Sequence, residues 1–374
     1  MPAACAVRAV AVRPMRRELA LVEMEAPELR HDSDVRLSVL EVGVCGTDRE
    51  ICNFEFGFPP AGNDALVIGH EALAQVVEVG AGVTDLKPGD LVVPMVRRPC
   101  PHAHCAACRA GRQDFCQTGD FVERGIRGMH GFMTESVVDD ERYMVPVPKA
   151  LRDVAVLVEP LTIAEKALLQ LDRIQQRLPW QSGAPVPDRR ALVLGAGPVG
   201  LLGAMALRLA GFETIVYSRE PVESAQADLA RAFGAEYASA GAQSVEALAA
   251  RAGCIDLVYE AVGSPALAFE TLKVLGPNGA FVVTGVPGLH HASAAGADVI
   301  MRNLVLKNQV VLGTVNAGRD AFEAAIRDLG RFLERWPGAV RALITGRYPI
   351  DAHRDLLLGS PGGIKNLISL SGRH

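Results

Sequence analysis

The first 150 residues alternate apolar and polar positions in short runs. "DVRLSVLEVGVC" (34–45), "LAQVVEVG" (73–80) and "DLVVPMV" (90–96) are rich in β-branched residues and separated by Gly, Pro and Asp, the pattern of strands joined by turns. "LKPGD" (86–90) reads as a turn leading into a strand. Near residue 160 the period changes. Leu161, Ala164, Leu168, Leu171, Ile174 and Leu178 recur every three or four positions, which predicts an amphipathic helix starting after Pro160. The proline-containing stretch 179–190 reads as a linker. From 191 to 307, strand-like runs ("ALVLG", "TIVYS", "DLVYEAVG", "AFVVTGVP") alternate with helical stretches. That alternation predicts a parallel sheet covered on both faces. After residue 308, "NQVVLGTVN" and the helix-like run 320–336 do not obviously extend this sheet.

A chain of 374 residues with 49% hydrophobic and 22% charged positions has the material for two domains. Its net charge of −5 argues against a nucleic-acid partner, which asks for a basic face. The N-terminus is broken by Arg8 and Arg13 and lacks a signal-peptide core. The longest uncharged run (191–207) falls short of a membrane span and is rich in glycine. The expectation is a soluble cytoplasmic protein, in which thiols stay reduced.

That matters for "RPCPHAHCAACRAGRQDFC" (98–116), which holds Cys100, Cys105, Cys108 and Cys116, half of the chain's 8 cysteines. In a reducing compartment a metal is a better fate for them than disulfides. Cys5 and Cys254 border strand-like segments and read as buried small hydrophobes.

In "ALVLGAGPVGLLGAMALRLAG" the residues Gly195, Gly197 and Gly200 fall between a predicted strand and helix. In that context the spacing points to a dinucleotide. The first glycine allows the turn, the second lets backbone approach a pyrophosphate, and the third permits close packing. The next strand ends in "VYSREP". An NAD site usually places an acid there, but Ser218 and Arg219 come first, and they suit a 2′-phosphate. Cys45 in "GVCGTDREI", His70 and Glu71 in "VIGHEA", and Glu159 in "LVEPLTIAEKA" add a thiol, an imidazole and carboxylates. These are the ligand types of a catalytic zinc with one position open.

These motifs, with "GDLVVPMVRRPC", "RGIRGMHGFM", "NQVVLGTVN" and "GGIKNLI", resemble the zinc-dependent medium-chain dehydrogenases, most of all the glucose 1-dehydrogenase branch. The resemblance implies an α/β enzyme of two domains. One is a GroES-like β-rich catalytic domain (1–187 and 308–374) carrying a zinc lobe at about 98–118. The other is a Rossmann nucleotide-binding domain, a doubly wound parallel sheet (188–307). It implies two zincs per chain: a catalytic one on Cys45, His70 and Glu71 or Glu159, and a structural one on Cys100, Cys105, Cys108 and Cys116. Four residues separate the first two of these cysteines where two are usual, so His102 or His104 could compete as a ligand.

NADP or NAD would contact Gly195, Gly197, Pro198, Val199, Gly200, Ser218, Arg219, Thr314, Val315 and Asn316. Thr47 would pass on the proton, and Thr47, Glu123, Glu159 and Asn316 would meet the sugar. The implied reaction is oxidation of an aldose at C1 to its lactone by a homodimer or homotetramer. Alternatives are a zinc dehydrogenase of another polyol or secondary alcohol, or a non-catalytic NAD(P)H-binding protein of the same fold.

Overall fold

The β-branched runs of the N-terminal half form strands within one or two residues of their expected limits. A computed structural model describes residues 6–178, 189–287 and 296–370. The linker expected at 179–190 falls almost wholly outside these residues, as does Cys5. The described chain forms two compact units, 1–159 with 316–329 and 344–374, and 160–315 with 330–343.

The first unit is built on a largely antiparallel sheet. Its centre is β1 (Asp34–Gly43) beside β2 (Glu71–Val79), with the C-terminal strand Lys365–Ser369 on the other side of β1. Leu91–Pro94 and Met144–Val147 extend the sheet past β2. Gly43 pairs with Glu71 across one edge of β1 and with Leu367 across the other. One core of this unit gathers Val10, Val39, Val42, Ile51, Phe132, Met133 and Ile368, all almost fully buried. Helix α1 (Gly46–Cys52) follows β1 directly.

Helix α2 (Val158–Gln175) begins two residues before Pro160 rather than after it. A proline is tolerated in a first helical turn because the N–H groups there have no intrahelical acceptor. The earlier start places Glu159 in the first turn.

The second unit is a doubly wound sheet of six parallel strands. These are β3 (Arg190–Leu194), β4 (Glu213–Ser218), β5 (Glu236–Ser239), β6 (Leu257–Glu260), β7 (Ala280–Val283) and β8 (Val310–Gly313). Their spatial order is β5-β4-β3-β6-β7-β8. The strand order reverses at β3, the switch point where such sheets bind nucleotides.

The compact units divide the chain at other points than the expected 187/188 and 307/308. Val310–Gly313 pairs in parallel with Ala280–Val283, so "NQVVLGTVN" completes the sheet that it did not appear to extend. Most of α2 and residues 330–343 also group with this unit. A four-residue edge strand with one neighbour carries no stronger apolar signature than a loop, which is why its sheet membership needed the fold. Among the described residues no helix is long and apolar enough to cross a membrane.

Candidate active site and metal centres

Cys45 is the N-cap of α1. Its sulfur accepts the backbone N–H of Asp48, whose carboxylate accepts the N–H of Cys45 at 2.9 Å. This reciprocal cap, Cys-x-x-Asp, holds both side chains at the end of β1. His70 lies between Gly69 and the first residue of β2. Gly69 has φ +90°, and a Cβ there would lie 2.5 Å from Met133 Cγ, so the turn that aims His70 needs glycine. Asp48 Oδ1 accepts Gly69 N–H at 3.2 Å and faces His70 Nδ1 at 3.4 Å. A carboxylate beside one ring nitrogen orients the imidazole and leaves Nε2 for another partner.

Cys45, His70 and Glu71 offer ligand atoms all within 4.8 Å of one another. Glu159 is buried in the same electrostatic neighbourhood. Burial, reinforced by Glu71 and Asp48, pushes its carboxyl up to about 7 against the pull of His70 and Lys365. Burial disfavours the His70 imidazolium, yet Asp48 and Cys45 hold it well above its usual range. A thiol and several carboxyl groups crowded around a buried imidazole are what a dication would neutralise. The residues therefore fit a zinc.

The cysteine lobe is folded around a short helix (Ala106–Arg109) capped by Cys105 and a 3₁₀ turn (Gln113–Phe115). It brings the sulfurs of Cys100, Cys105, Cys108 and Cys116 within 4.8 Å of one another. Backbone hydrogen bonds from Cys108 and Gln117 pull the Cys105 thiol down. Burial opposes ionisation of Cys116, but the hydroxyl and N–H of Thr118 and the N–H of Gly119 bring it to about 6. Burial, with the neighbouring Cys116 and Cys105, pushes Cys108 up to about 12. A thiolate-selecting dication removes that conflict, so a closed zinc site fits. The extra "PHAH" does not enter this cluster. His102 Nε2 pairs instead with Asp120 Oδ2 at 2.8 Å, and its ring lies 5.3 Å from that of His104.

The glycine turn leaves β3 with Gly195 at φ +104°. Gly197 is the N-cap of α3 (Pro198–Leu209), followed by Pro198 and Val199 in the first turn. A Cβ at Gly197 would meet nothing within 4 Å, so open space borders this backbone. At Gly200 a Cβ would lie 2.1 Å from the Gly195 carbonyl oxygen. The third glycine thus makes room for the first. These positions fit a dinucleotide pyrophosphate at a helix N-terminus.

At the end of β4, Ser218 is half-buried and Arg219 exposed, and Ser218 Oγ donates to the Glu220 carboxylate. Past β8, Thr314 Oγ1 accepts from Gln170 at 2.9 Å and the Val315 carbonyl accepts from Lys166 at 3.0 Å. Asn316, at φ +59°, donates to Glu123 Oε1 at 3.1 Å. The same oxygen receives Arg97 Nε and Nη2 at 3.1 and 3.0 Å. Thr47 sits half-buried on α1. Cys52, near the end of α1, is buried, and burial pushes its thiol up to about 12. Cys254, expected in a core, is exposed.

Three participants were not read from the sequence. Asp48 had a signal, since an acid three residues after a helix N-cap is half of a capping box. Arg97 and Lys365 had none. Lys365 lies 321 residues from Val44, whose carbonyl it reaches at 3.1 Å, and it pairs with Glu71.

Two family models match the chain. "Alcohol dehydrogenase GroES-like domain" covers residues 31–149, and "Glucose dehydrogenase C-terminus" covers 152–370. The chain is 38% identical over 365 residues to a glucose 1-dehydrogenase of Methanocella arvoryzae, spanning 97% of this chain and 99% of that one. It is 39% identical over 367 residues to the enzyme of the same name from Thermoproteus tenax, with the same coverage. Among solved structures, a Haloferax mediterranei glucose dehydrogenase in complex with NADP, Zn and gluconolactone superposes with a TM-score of 0.86. It is 31% identical, over 98% of this chain and 100% of that one. With both halves matched by family models and relatives of this identity aligned end to end, the chain belongs to the glucose dehydrogenase branch of the zinc-dependent medium-chain dehydrogenases.

Proposed function

We infer that the protein oxidises an aldose at C1 to its lactone, with glucose the leading substrate and NADP used at least as well as NAD. The observation that carries the reading is the convergence of half-buried Cys45 with buried His70 and Glu71 in the first unit. The nucleotide turn of the second unit and the names of the relatives give that point its chemistry.

Cys45 and His70, with Glu71 or Glu159, would hold the catalytic zinc, and Cys100, Cys105, Cys108 and Cys116 the structural one. When bound, zinc lowers the pKa of a substrate hydroxyl and the nicotinamide accepts hydride from the carbon that bears it. The chain's own residues do the rest. Asp48 holds the His70 ring. The hydroxyl of Thr47 would accept the proton of the C1 hydroxyl as it releases its own to solvent water. Arg97 and Asn316 occupy Glu123 Oε1, so Oε2 is the oxygen that accepts a sugar hydroxyl. That restraint holds an otherwise flexible carboxylate ready for the substrate, at little entropic cost on binding.

Gly195, Gly197, Pro198, Val199 and Gly200 cradle the pyrophosphate, with Thr314 and Val315 beyond β8. Arg219, with Ser218 turned from Glu220, would read the 2′-phosphate, and Glu220 would accept the bare 2′-hydroxyl of NAD. Thiolate sites need reduced sulfur, which fits a cytoplasmic setting. A homo-oligomer is supported by exposed apolar residues on the helix that precedes β8, among them Val305 at 75% and Met301 at 67% exposure.

The test is a steady-state screen of aldoses, polyols and simple alcohols with both cofactors. Glucose or another aldose should be the best substrate. Glu123→Ala should lower aldose kcat/KM roughly ten- to a hundred-fold, the loss expected for a charge-assisted hydrogen bond. Its Kd for NADPH, read by fluorescence, should stay within about twofold. Rapid oxidation of ethanol or cyclohexanol with no aldose activity would overturn the sugar assignment.

A further inference from the structure

We propose that Asp320 is a positioning residue for the sugar site. Through Arg112 and Asp114 it ties the turn that carries Asn316 to the cysteine lobe, and so fixes the carboxylate of Glu123. The proposal rests on the reading of Glu123 as the group that receives a sugar hydroxyl.

The contacts form a closed ring. Glu123 Oε1 receives Asn316 Nδ2 and the Arg97 guanidinium. Arg97 Nη1 also donates to the carbonyl oxygen of Asp114 at 3.4 Å. The fully buried Asp114 carboxylate accepts Arg112 Nε at 3.0 Å and Nη2 at 2.9 Å. Nη1 of the same guanidinium reaches Asp320 Oδ2 at 3.1 Å. Asp320 lies in the first turn of the helix Arg319–Arg335, just after Asn316, and there the ring closes. Every member belongs to the first unit.

The turn from Asn316 to Asp320 has little freedom. Asn316 is at φ +59° and its Oδ1 accepts the N–H of Ala317 at 2.9 Å, so its amide is aimed by its own backbone. Asp320 Oδ1 accepts the N–H of Ala321 at 3.0 Å and leaves Oδ2 for Arg112. Ala317 and Gly318 between them are buried. A Cβ at Gly318 would lie 3.0 Å from Asp320 Oδ1, 3.1 Å from Asp114 Oδ1 and 3.2 Å from Arg112 Nε. The turn therefore packs directly on the ion cluster, and a shift at Asp320 is passed on to Asn316.

Position, not stability, is what this link supplies. Arg112 and Asp320 are 32% and 40% exposed, and a pair that wet contributes little to folding. Arg319 already fastens the start of the helix to the carbonyl oxygens of Arg142 and Met144, at 2.8 and 2.9 Å. The planar guanidinium of Arg112 nevertheless sets a distance, because it spans two carboxylates with fixed directions. Without it Asn316 drifts and Arg97 alone holds Glu123. Sugar binding then has to order that carboxylate, which weakens it.

A double-mutant cycle on aldose kinetics tests the assignment, with the thermal midpoint and the NADPH Kd as further readouts. Asp320→Asn keeps an oxygen for the Ala321 N–H and removes the charge that holds Arg112. It should raise the aldose KM about three- to tenfold, with kcat and the NADPH Kd within about twofold and the midpoint within about 3 °C of wild type. Arg112→Lys, which keeps the charge but not the fork, should raise KM in the same way, and Asp320→Glu should stay within about twofold of wild type. In a Glu123→Ala background, Asp320→Asn should change aldose kcat/KM by less than about 1.5-fold, because the group it acts through is gone. A wild-type KM for Asp320→Asn, or a loss that persists undiminished in the Glu123→Ala background, overturns the proposal and leaves the sugar reading intact. A fall in midpoint of more than about 8 °C, with kcat and KM lost together, assigns Asp320 to stability and overturns the proposal as well. Full aldose turnover by Glu123→Ala alone overturns the sugar reading, and the proposal with it.

Discussion

Ser218, Arg219 and Glu220 are the three adjacent side chains proposed to set the cofactor preference. The run "SRE" offers a hydroxyl and a guanidinium to a 2′-phosphate, but the structure turns the hydroxyl onto the Glu220 carboxylate. Arg219 is exposed and Glu220 half-buried, so a phosphate arriving there meets one attractive and one repulsive charge. Arg219→Ala should raise the KM for NADP roughly ten- to a hundred-fold and leave the KM for NAD almost unchanged. Steady-state kinetics with each cofactor decides it, and equal losses would mean that Arg219 does not read the phosphate. Asp48 is the other instructive residue. It is fully buried, caps α1, binds Gly69 N–H and faces His70, so one carboxylate ties together the two segments that supply Cys45 and His70.

The cysteine lobe and the strands around it carry their own predictions. A closed four-sulfur site contributes directly to folding. Cys105→Ser should remove one of two zincs per chain by elemental analysis and lower the thermal midpoint. Cys45→Ala should remove the other, abolish turnover and leave NADPH binding nearly intact. One zinc per chain and full activity after Cys105→Ser would refute the structural site.

Beside the lobe, Asp139 on the strand Ser136–Asp140 receives both Arg98 and Arg124, all three nearly fully buried. Burial works against its charge, but the two guanidiniums hold its carboxyl below the usual range. A depressed folded-state pKa stabilises the protein above the unfolded value, about 3.9, and that contribution is lost as pH falls through the lower folded value. Asp139→Asn should therefore flatten the acid limb of stability below about pH 4. Near neutrality it should cost about 3–5 kcal/mol, because two buried cations lose their partner. Denaturant melts of both proteins between pH 2.5 and 7 test both statements.

At the scale of the molecule, β8 is, among the described residues, an edge strand paired only with β7. Near it in sequence, Val299, Met301, Val305, Leu306, Val311 and Val315 are each at least 45% exposed. Exposed apolar residues on and next to an edge strand are a liability unless something covers them, and a second copy of the chain is the occupant we propose. Val305→Asp with Leu306→Lys should shift the sedimentation coefficient to that of a monomer, and an unchanged oligomer would place the interface elsewhere. The same edge marks the limit of what the sequence reveals. The glycine turn, the thiol-rich lobe, the period change near 160 and the alternation of strands and helices are local signals, each set by φ angles, ligand spacing or periodicity within about twenty residues. They were enough for the α/β class, the nucleotide turn and the candidate ligands Cys45, His70 and Glu71, which the structure brings within 4.8 Å of one another. The membership of Val310–Gly313 in the sheet, the hold of Arg97 on Glu123 and the pairing of Lys365 with Glu71 depend on register between strands far apart in the chain. No local pattern encodes that register. It is set by which faces must be buried together, and the bare backbone of Gly43 has room for the Lys365–Glu71 pair only after the sheet has formed.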